Sequence, residues 1–129
     1  MVRLFLFCVC LSFPLGCSKS FGDQNKHQES LSCCIENEYI ENNNNSAKIV
    51  SIDNILHAVI KSSGKEQTIN LRASNNMKWW AVWDDNNRFW IYSADIGMMY
   101  ILQEQEHWVI NYPTKEEQSL IPKSLLEKR

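Results

Sequence analysis

The stretch KWWAVWDDNNRFWIYS, Lys78–Ser93, decides the fold, because two aromatic-rich runs in it are separated by four Asp and Asn residues. Aromatic and β-branched residues favour strands, and Asp and Asn tolerate the left-handed conformations of tight turns. The stretch therefore predicts a β-hairpin in which Lys78–Trp83 and Arg88–Ser93 are the strands and Asp84–Asn87 is the turn.

The length of the hairpin loop decides which side chains share a face, since side chains alternate along a strand. A loop of two or four residues puts Trp80, Val82, Phe89 and Ile91 on a core face. The opposite face then carries residue types that are enriched at binding hot spots: Trp79, Ala81, Trp83, Arg88, Trp90 and Tyr92. A loop of three residues would break this grouping.

We predict that this second face binds a partner through Trp79, Trp83, Arg88, Trp90 and Tyr92. Nine aromatic residues lie between Trp79 and Tyr112, which makes this the most aromatic part of the chain. The alternative is that both faces are buried, one against the sheet partner and the other under the terminal helices, as in the central strands of a small sandwich.

Further strands are predicted on both sides of this hairpin, from apolar runs bounded by turn residues. They are Ile49–Ile52, Ile55–Lys61, Gln67–Leu71, Met98–Leu102 and His107–Tyr112. The predicted fold class is α+β and mostly β. It is a small antiparallel sheet or rolled sandwich of about six to seven strands with short flanking helices.

Two short helices are predicted at the ends of this β region. The spacing of apolar residues suits one face of a helix within Glu29–Glu41. Thr114 and Glu117 form a capping-box pattern that opens a second helix, and Pro122 stops or kinks it.

The N-terminus has the features of an export signal. Arg3 supplies a positive charge, and Leu4–Leu15 is an uncharged, mostly apolar run of twelve residues. This run is too short for an ordinary spanning helix, which needs about 20 apolar residues. Its length fits the core of a secretory signal, which has about 7–15.

The residues FPLGC, Phe13–Cys17, resemble the lipobox of bacterial prolipoproteins. The resemblance covers residues 1–17, and it implies that Cys17 is the lipidated first residue of the mature protein, anchored in a membrane of the cell envelope. Ser18 after the lipid site implies the periplasmic side of the outer membrane if the host is Gram-negative. The alternative is ordinary signal cleavage near Ser20, which would make the protein secreted or periplasmic.

The predicted organisation has three parts. Residues 1–16 form the signal peptide, residues 17–32 a polar tether after the lipidated Cys17, and residues 33–129 a single small β-rich domain. Of the five cysteines, two leave with the signal and one is the anchor, so only Cys33 and Cys34 belong to the domain. A bond between adjacent cysteines would be strained, and a disulfide scaffold is not predicted.

The charge and the motifs exclude several function classes. A net charge of −2 lacks the excess of basic residues that is typical of proteins that bind nucleic acid. His27, His57 and His107 stand at no metal-motif spacing, and Asp84–Asn87 lacks the glycine and distal glutamate of an EF-hand loop. We therefore predict no catalytic residue, no metal ligand and no cofactor, and a protein that is not an enzyme.

We expect an exported, lipid-anchored envelope protein whose β-rich domain binds a protein partner, as an inhibitor or an immunity protein. One alternative is a module that binds cell-wall glycan through its aromatic face. Another is a small envelope hydrolase, in which His57 or His107 would lie within hydrogen-bond reach of Asp53, Asp84 or Asp95.

Overall fold

The computed structural model describes residues 32–33 and 35–129. The predicted signal peptide, the lipidation of Cys17 and nearly all of the tether lie outside these residues. The described strands are β1 (Ser32–Cys33), β2 (Ile40–Asn42), β3 (Asn45–Ile52), β4 (Ile55–Ser62), β5 (Lys65–Ser74), β6 (Trp79–Trp83), β7 (Phe89–Ser93), β8 (Gly97–Glu104) and β9 (His107–Asn111).

The strands form two antiparallel sheets. One has four strands in the order β2-β3-β4-β5, and the other has five in the order β1-β6-β7-β8-β9. The prediction of a mostly β, antiparallel fold is confirmed. The predicted number of strands is too low, because the described part of the chain has eight strands of three or more residues besides the two-residue β1.

The tight turns of the four-stranded sheet follow from their sequences. Asp53 and Asn54 join β3 to β4 with φ angles of 53° and 64°, and Ser63 and Gly64 join β4 to β5 with φ angles of 51° and 75°. Two consecutive left-handed residues match the right-handed twist of a hairpin, and Asp, Asn and Gly adopt this conformation at low cost.

The predicted helix within Glu29–Glu41 is wrong where the structure describes it, since Ile40–Asn42 is strand β2. Asn42 pairs with Asn45 across the turn Asn43–Asn44, so part of the asparagine run closes a hairpin. Ile40 packs against the core. Tertiary pairing therefore overrides the helical spacing of the apolar residues.

The main core lies between the two sheets. It is made of buried side chains from the inner face of each sheet: Ala47, Ile49, Leu56, Ala58, Ile60, Leu71 and Ala73 from the four-stranded sheet, and Trp79, Ala81, Trp83, Phe89, Ile91, Met99, Ile101 and Trp108 from the five-stranded sheet. Side chains alternate between the two faces of a strand, so every second residue faces this core. Strands β6, β7 and β8 carry buried residues on both faces.

A second, smaller core lies on the outer face of the five-stranded sheet. The C-terminal segment, residues 112–129, crosses this face with a 3₁₀-helix, Glu116–Leu120, and a helix α1, Lys123–Leu126. Ile121 and Leu125 of the segment pack with Val82, Trp90, Met98 and Tyr100 of the sheet. Thr114 and Glu117 contact each other as the capping pattern predicts, but the helix that follows is 3₁₀ and its N-cap is Lys115.

Candidate functional site

The predicted grouping of hairpin side chains is wrong because the loop has three residues. The paired strand ends are Trp83 and Phe89. Beyond them the Asp84 N–H donates to the Arg88 carbonyl at 3.0 Å, which leaves Asp85–Asn87 as the loop. Asn87 takes the left-handed conformation, φ 59°, as the last residue of a three-residue hairpin loop does. The register therefore pairs Trp83 with Phe89 and Val82 with Trp90.

This register sends the predicted partner-binding residues to two different faces. Trp79 and Trp83 lie in the main core and are 4% and 7% exposed. Trp83 donates its indole N–H to the Ile40 carbonyl at 2.8 Å, which ties the two sheets together. The predicted exposed patch of Trp79, Trp83 and Trp90 does not form.

Arg88, Trp90 and Tyr92 lie at the outer face of the five-stranded sheet. Trp90 is fully buried under the C-terminal segment. Tyr92 is half-buried and stacks on Trp80 with ring centroids 5.8 Å apart. The Nζ of Lys128 lies 5.9 Å from the Trp80 ring centroid. The structure therefore corresponds to the alternative in which both faces of the hairpin are covered.

Asp84 organises the loop of this hairpin. One carboxylate oxygen accepts the N–H groups of Asn86 and Arg88, and the other accepts the Arg88 Nε at 2.6 Å and the Trp90 indole N–H at 2.7 Å. Burial opposes the ionisation of Asp84, but the hydrogen bonds from Trp90, Arg88 and Asn86 outweigh it and lower its pKa. Arg88 and Trp90 are thus structural partners of Asp84.

Tyr100 and Glu117 fasten the C-terminal segment to the sheet. The Tyr100 hydroxyl donates to the Glu117 carboxylate, which also accepts from Thr114. The hydrogen bond to Glu117 and burial raise the pKa of Tyr100 to about 12. The same bond, with those from Thr114, lowers the pKa of Glu117.

The histidines do not meet the aspartates that a hydrolase would need. The His57 Nδ1 lies 2.9 Å from the carbonyl oxygen of Ile55, and His107 is exposed at the start of β9. Within residues 35–129 no hydrogen bond joins either histidine to Asp53, Asp84 or Asp95. The described residues also contain no group of three or more His, Cys, Asp and Glu residues arranged to hold a metal ion.

One end of the sandwich, which we name the polar end, carries the turns Asn43–Asn44, Ser63–Gly64, Asp85–Asn87 and Gln105–Glu106. The Gln67 side chain joins the two sheets here, since its amide donates to the Trp108 carbonyl at 2.8 Å and accepts the Trp108 N–H at 2.9 Å. The Asn42 amide also donates to Asn87 at 3.0 Å. A cleft of about 400 Å³ between these turns is lined mainly by polar side chains.

The opposite end, which we name the apolar end, carries the turn Asp53–Asn54, the loop Asn75–Lys78 and the turn Ala94–Ile96. Main-chain hydrogen bonds connect them, from the Asn75 N–H to the Asn54 carbonyl at 2.8 Å and from the Ala94 N–H to the Lys78 carbonyl at 2.9 Å. The Ser74 N–H also donates to the Asp95 carboxylate at 2.9 Å. These bonds hold the three connections together.

Large apolar side chains are exposed at the apolar end. Ile52 is 46% exposed, Met77 42% and Ile96 41%. Ile35, 44% exposed, precedes Glu36, which lines a shallow pocket with Met77. The other large hydrophobic side chains exposed within residues 35–129, Tyr112, Leu120 and Leu126, are spread along the C-terminal segment, and none belongs to a turn of the polar end. The apolar end is therefore the candidate interaction site.

Sequence reasoning missed this site because its residues lie far apart in the chain. The available signal was that Met77 and Ile96 occupy connections, where Asp, Asn, Gly and Ser usually stand. No protein-family model, curated protein or solved structure matches the chain. None of the helices in the described part of the chain is long and apolar enough to cross a membrane.

Proposed function

We propose that this chain is an exported binding protein, lipid-anchored at Cys17, whose β domain binds a protein partner through the apolar end. Its small size and its tether favour a role as an inhibitor or immunity protein in the cell envelope. The observation that carries the proposal is the exposure of Ile52 at the end of β3 and of Met77 and Ile96 on connections, all at one end of the sandwich.

Exposed apolar side chains on adjacent connections favour a binding role for a physical reason. A single exposed hydrophobic residue is ordinary, but several at one site mark surfaces that become buried on binding. Connections held on a rigid scaffold are also where binding residues concentrate. Methionine is enriched at protein interfaces because its flexible side chain adapts to the opposite surface.

The two alternatives have weaker support. For glycan binding, the half-buried stack of Trp80 and Tyr92 is the relevant observation, but Lys128 lies against the Trp80 ring and one face of each ring is used in the stack. For hydrolysis, neither His57 nor His107 is oriented by a carboxylate as a general base would be. We therefore propose a binding protein and not an enzyme.

Photo-crosslinking in the producing cells tests this proposal. A photoreactive amino acid at position 77 or 96 of the full chain should give a discrete adduct with one protein. The matched control positions are Asn86 and Gln105, which are exposed on turns of the polar end. An equal yield of protein adducts from both ends, or none from positions 77 and 96, would contradict the proposal.

The anchor is tested separately by fractionation. Cys17→Ala should release the protein from the membrane fraction and prevent the incorporation of labelled fatty acid. Continued membrane association of this variant would refute lipidation at Cys17 and leave the binding proposal standing.

A further inference from the structure

The charges around the apolar end identify the kind of partner that fits it. Asp53 and Asp95 are exposed on two of its turns, and Glu36 lines the shallow pocket beside Met77. Lys78 is the basic residue of the loop between β5 and β6. Three carboxylates stand against Lys78 and against the exposed Arg72, two residues before Ser74, so the rim of the apolar contact is acidic on balance.

We infer that the partner is a protein with a rim of Lys and Arg side chains around an apolar contact. The inference rests on the proposed function of the apolar end. Charge complementarity of this kind guides association and suppresses wrong partners. Interfaces commonly combine an apolar centre with a polar rim, and the apolar end has this layout.

The same charges disfavour two other occupants. A second copy would place acidic rim against acidic rim if the two apolar ends met, and like charges across an interface are unfavourable. A membrane surface with anionic lipids would repel the carboxylates in the same way. A basic protein with an apolar contact surface matches both the exposed apolar side chains and the acidic rim around them.

The experiment neutralises the rim without changing its shape. In the full chain with a photoreactive residue at position 96, Glu36→Gln combined with Asp53→Asn should lower the yield of the protein adduct roughly fivefold, as the loss of two exposed ion pairs would. Asn is suited to position 53 because it tolerates the left-handed conformation there. The matched control is Glu104→Gln combined with Glu106→Gln at the polar end, which should leave the yield unchanged.

High salt should reduce the yield of the protein adduct when the rim is unchanged, because salt screens exposed charges. It should have little effect on the yield from the variant with the neutralised rim. The inference is overturned if neutralisation leaves the yield unchanged, or if the adduct is a second copy of the chain or lipid. If Met77→Asn abolishes the protein adduct while neutralisation of the rim leaves it, the inference of a basic partner is overturned and the proposed function stands. The absence of any protein adduct at position 96 would overturn both.

Discussion

The two ends of the sandwich are built from the same kinds of antiparallel connection, yet they use their side chains differently. At the polar end, side chains hold the structure together: Asp84 accepts four hydrogen bonds, and Gln67 joins the two sheets. At the apolar end, main-chain bonds at Asn75 and Ala94 connect the turns, with one side-chain bond from the Ser74 N–H to the Asp95 carboxylate. Met77 and Ile96 remain at the surface and are not needed for these bonds. Polar side chains therefore support the fold at the polar end, whereas the exposed apolar side chains of the apolar end are available for binding.

Removing the carboxylate of Asp84 should have the largest effect on stability at the polar end. Asp84→Ala should lower the free energy of unfolding by about 2–4 kcal/mol, because it leaves the Arg88 guanidinium and the Trp90 indole N–H without their partner. Urea unfolding measures the effect. The control is Glu106→Ala, whose partner Lys65 lies 3.9 Å away at an exposed position, and which should cost less than about 0.5 kcal/mol. Equal costs for the two variants would show that side chains at the polar end do not hold the fold.

A second variant tests the bridge between the sheets. Gln67→Ala should cost about 1–3 kcal/mol, since it removes two hydrogen bonds to the main chain of Trp108. Hydrogen exchange of the Trp108 amide should accelerate at the same time. Gln103→Ala, in an exposed residue that lines the same cleft, should change neither quantity. An unaltered exchange rate at Trp108 in the Gln67 variant would refute the bridging role.

The pH dependence of stability tests the groups that fasten the outer face of the five-stranded sheet. Asp84 and Glu117 have lowered pKa values. Their contribution is therefore present above their unfolded-state pKa values and is lost as the pH falls through the folded-state values. Tyr100 has a pKa raised from 10.0 to about 12, so its contribution is present below pH 10 and is lost as the pH rises towards about 12.

Urea midpoints measured across this range for the natural chain and for Tyr100→Phe distinguish these groups. The variant should lose stability at neutral pH and lack the part of the alkaline decline that Tyr100 causes. The acid decline due to Asp84 should persist in it. An unchanged alkaline limb in Tyr100→Phe would argue against this assignment.

The smallest expected effect on stability is at the apolar end. Met77→Asn combined with Ile96→Asn should change the free energy of unfolding by less than about 0.5 kcal/mol, because both side chains are exposed. The crosslinks to a partner should nevertheless disappear. Met99→Asn is the buried counterpart, with no exposed surface, and should destabilise by about 3 kcal/mol or more. A large loss of stability in the double variant would sink the distinction between the two ends.

Local patterns in the sequence were enough to predict the hairpins but not the faces of their strands. Alternating apolar runs and turn residues placed β4 to β9 close to their observed positions. The faces depend on whether an odd or an even number of residues separates the paired strand ends. The number is odd here, because Trp83 pairs with Phe89, and the Asp84 carboxylate binds Arg88 within this connection. With this pairing, Trp79 and Trp83 face the main core and Trp90 faces the outer side of the sheet.

The candidate site was hidden for a different reason. Ile52 ends β3, and Met77 and Ile96 lie on two separate connections. Only the stacking of the two sheets brings these three positions to one end. The spacing of residues along one sequence does not predict such a long-range arrangement. The predicted hot spot followed the aromatic composition, but in this small sandwich the aromatic residues supply the core instead.

The contact between Gln67 and Trp108 also affects how an edge strand can pair with other chains. Strand β9 is at the border of its sheet, and exposed strand edges are templates on which other chains add and aggregates grow. The Gln67 amide occupies the N–H and the carbonyl of Trp108 as a neighbouring strand would. At the border of the other sheet, a bulge with left-handed Arg72 interrupts β5. An incoming strand would therefore meet a filled position at β9 and a kinked one at β5.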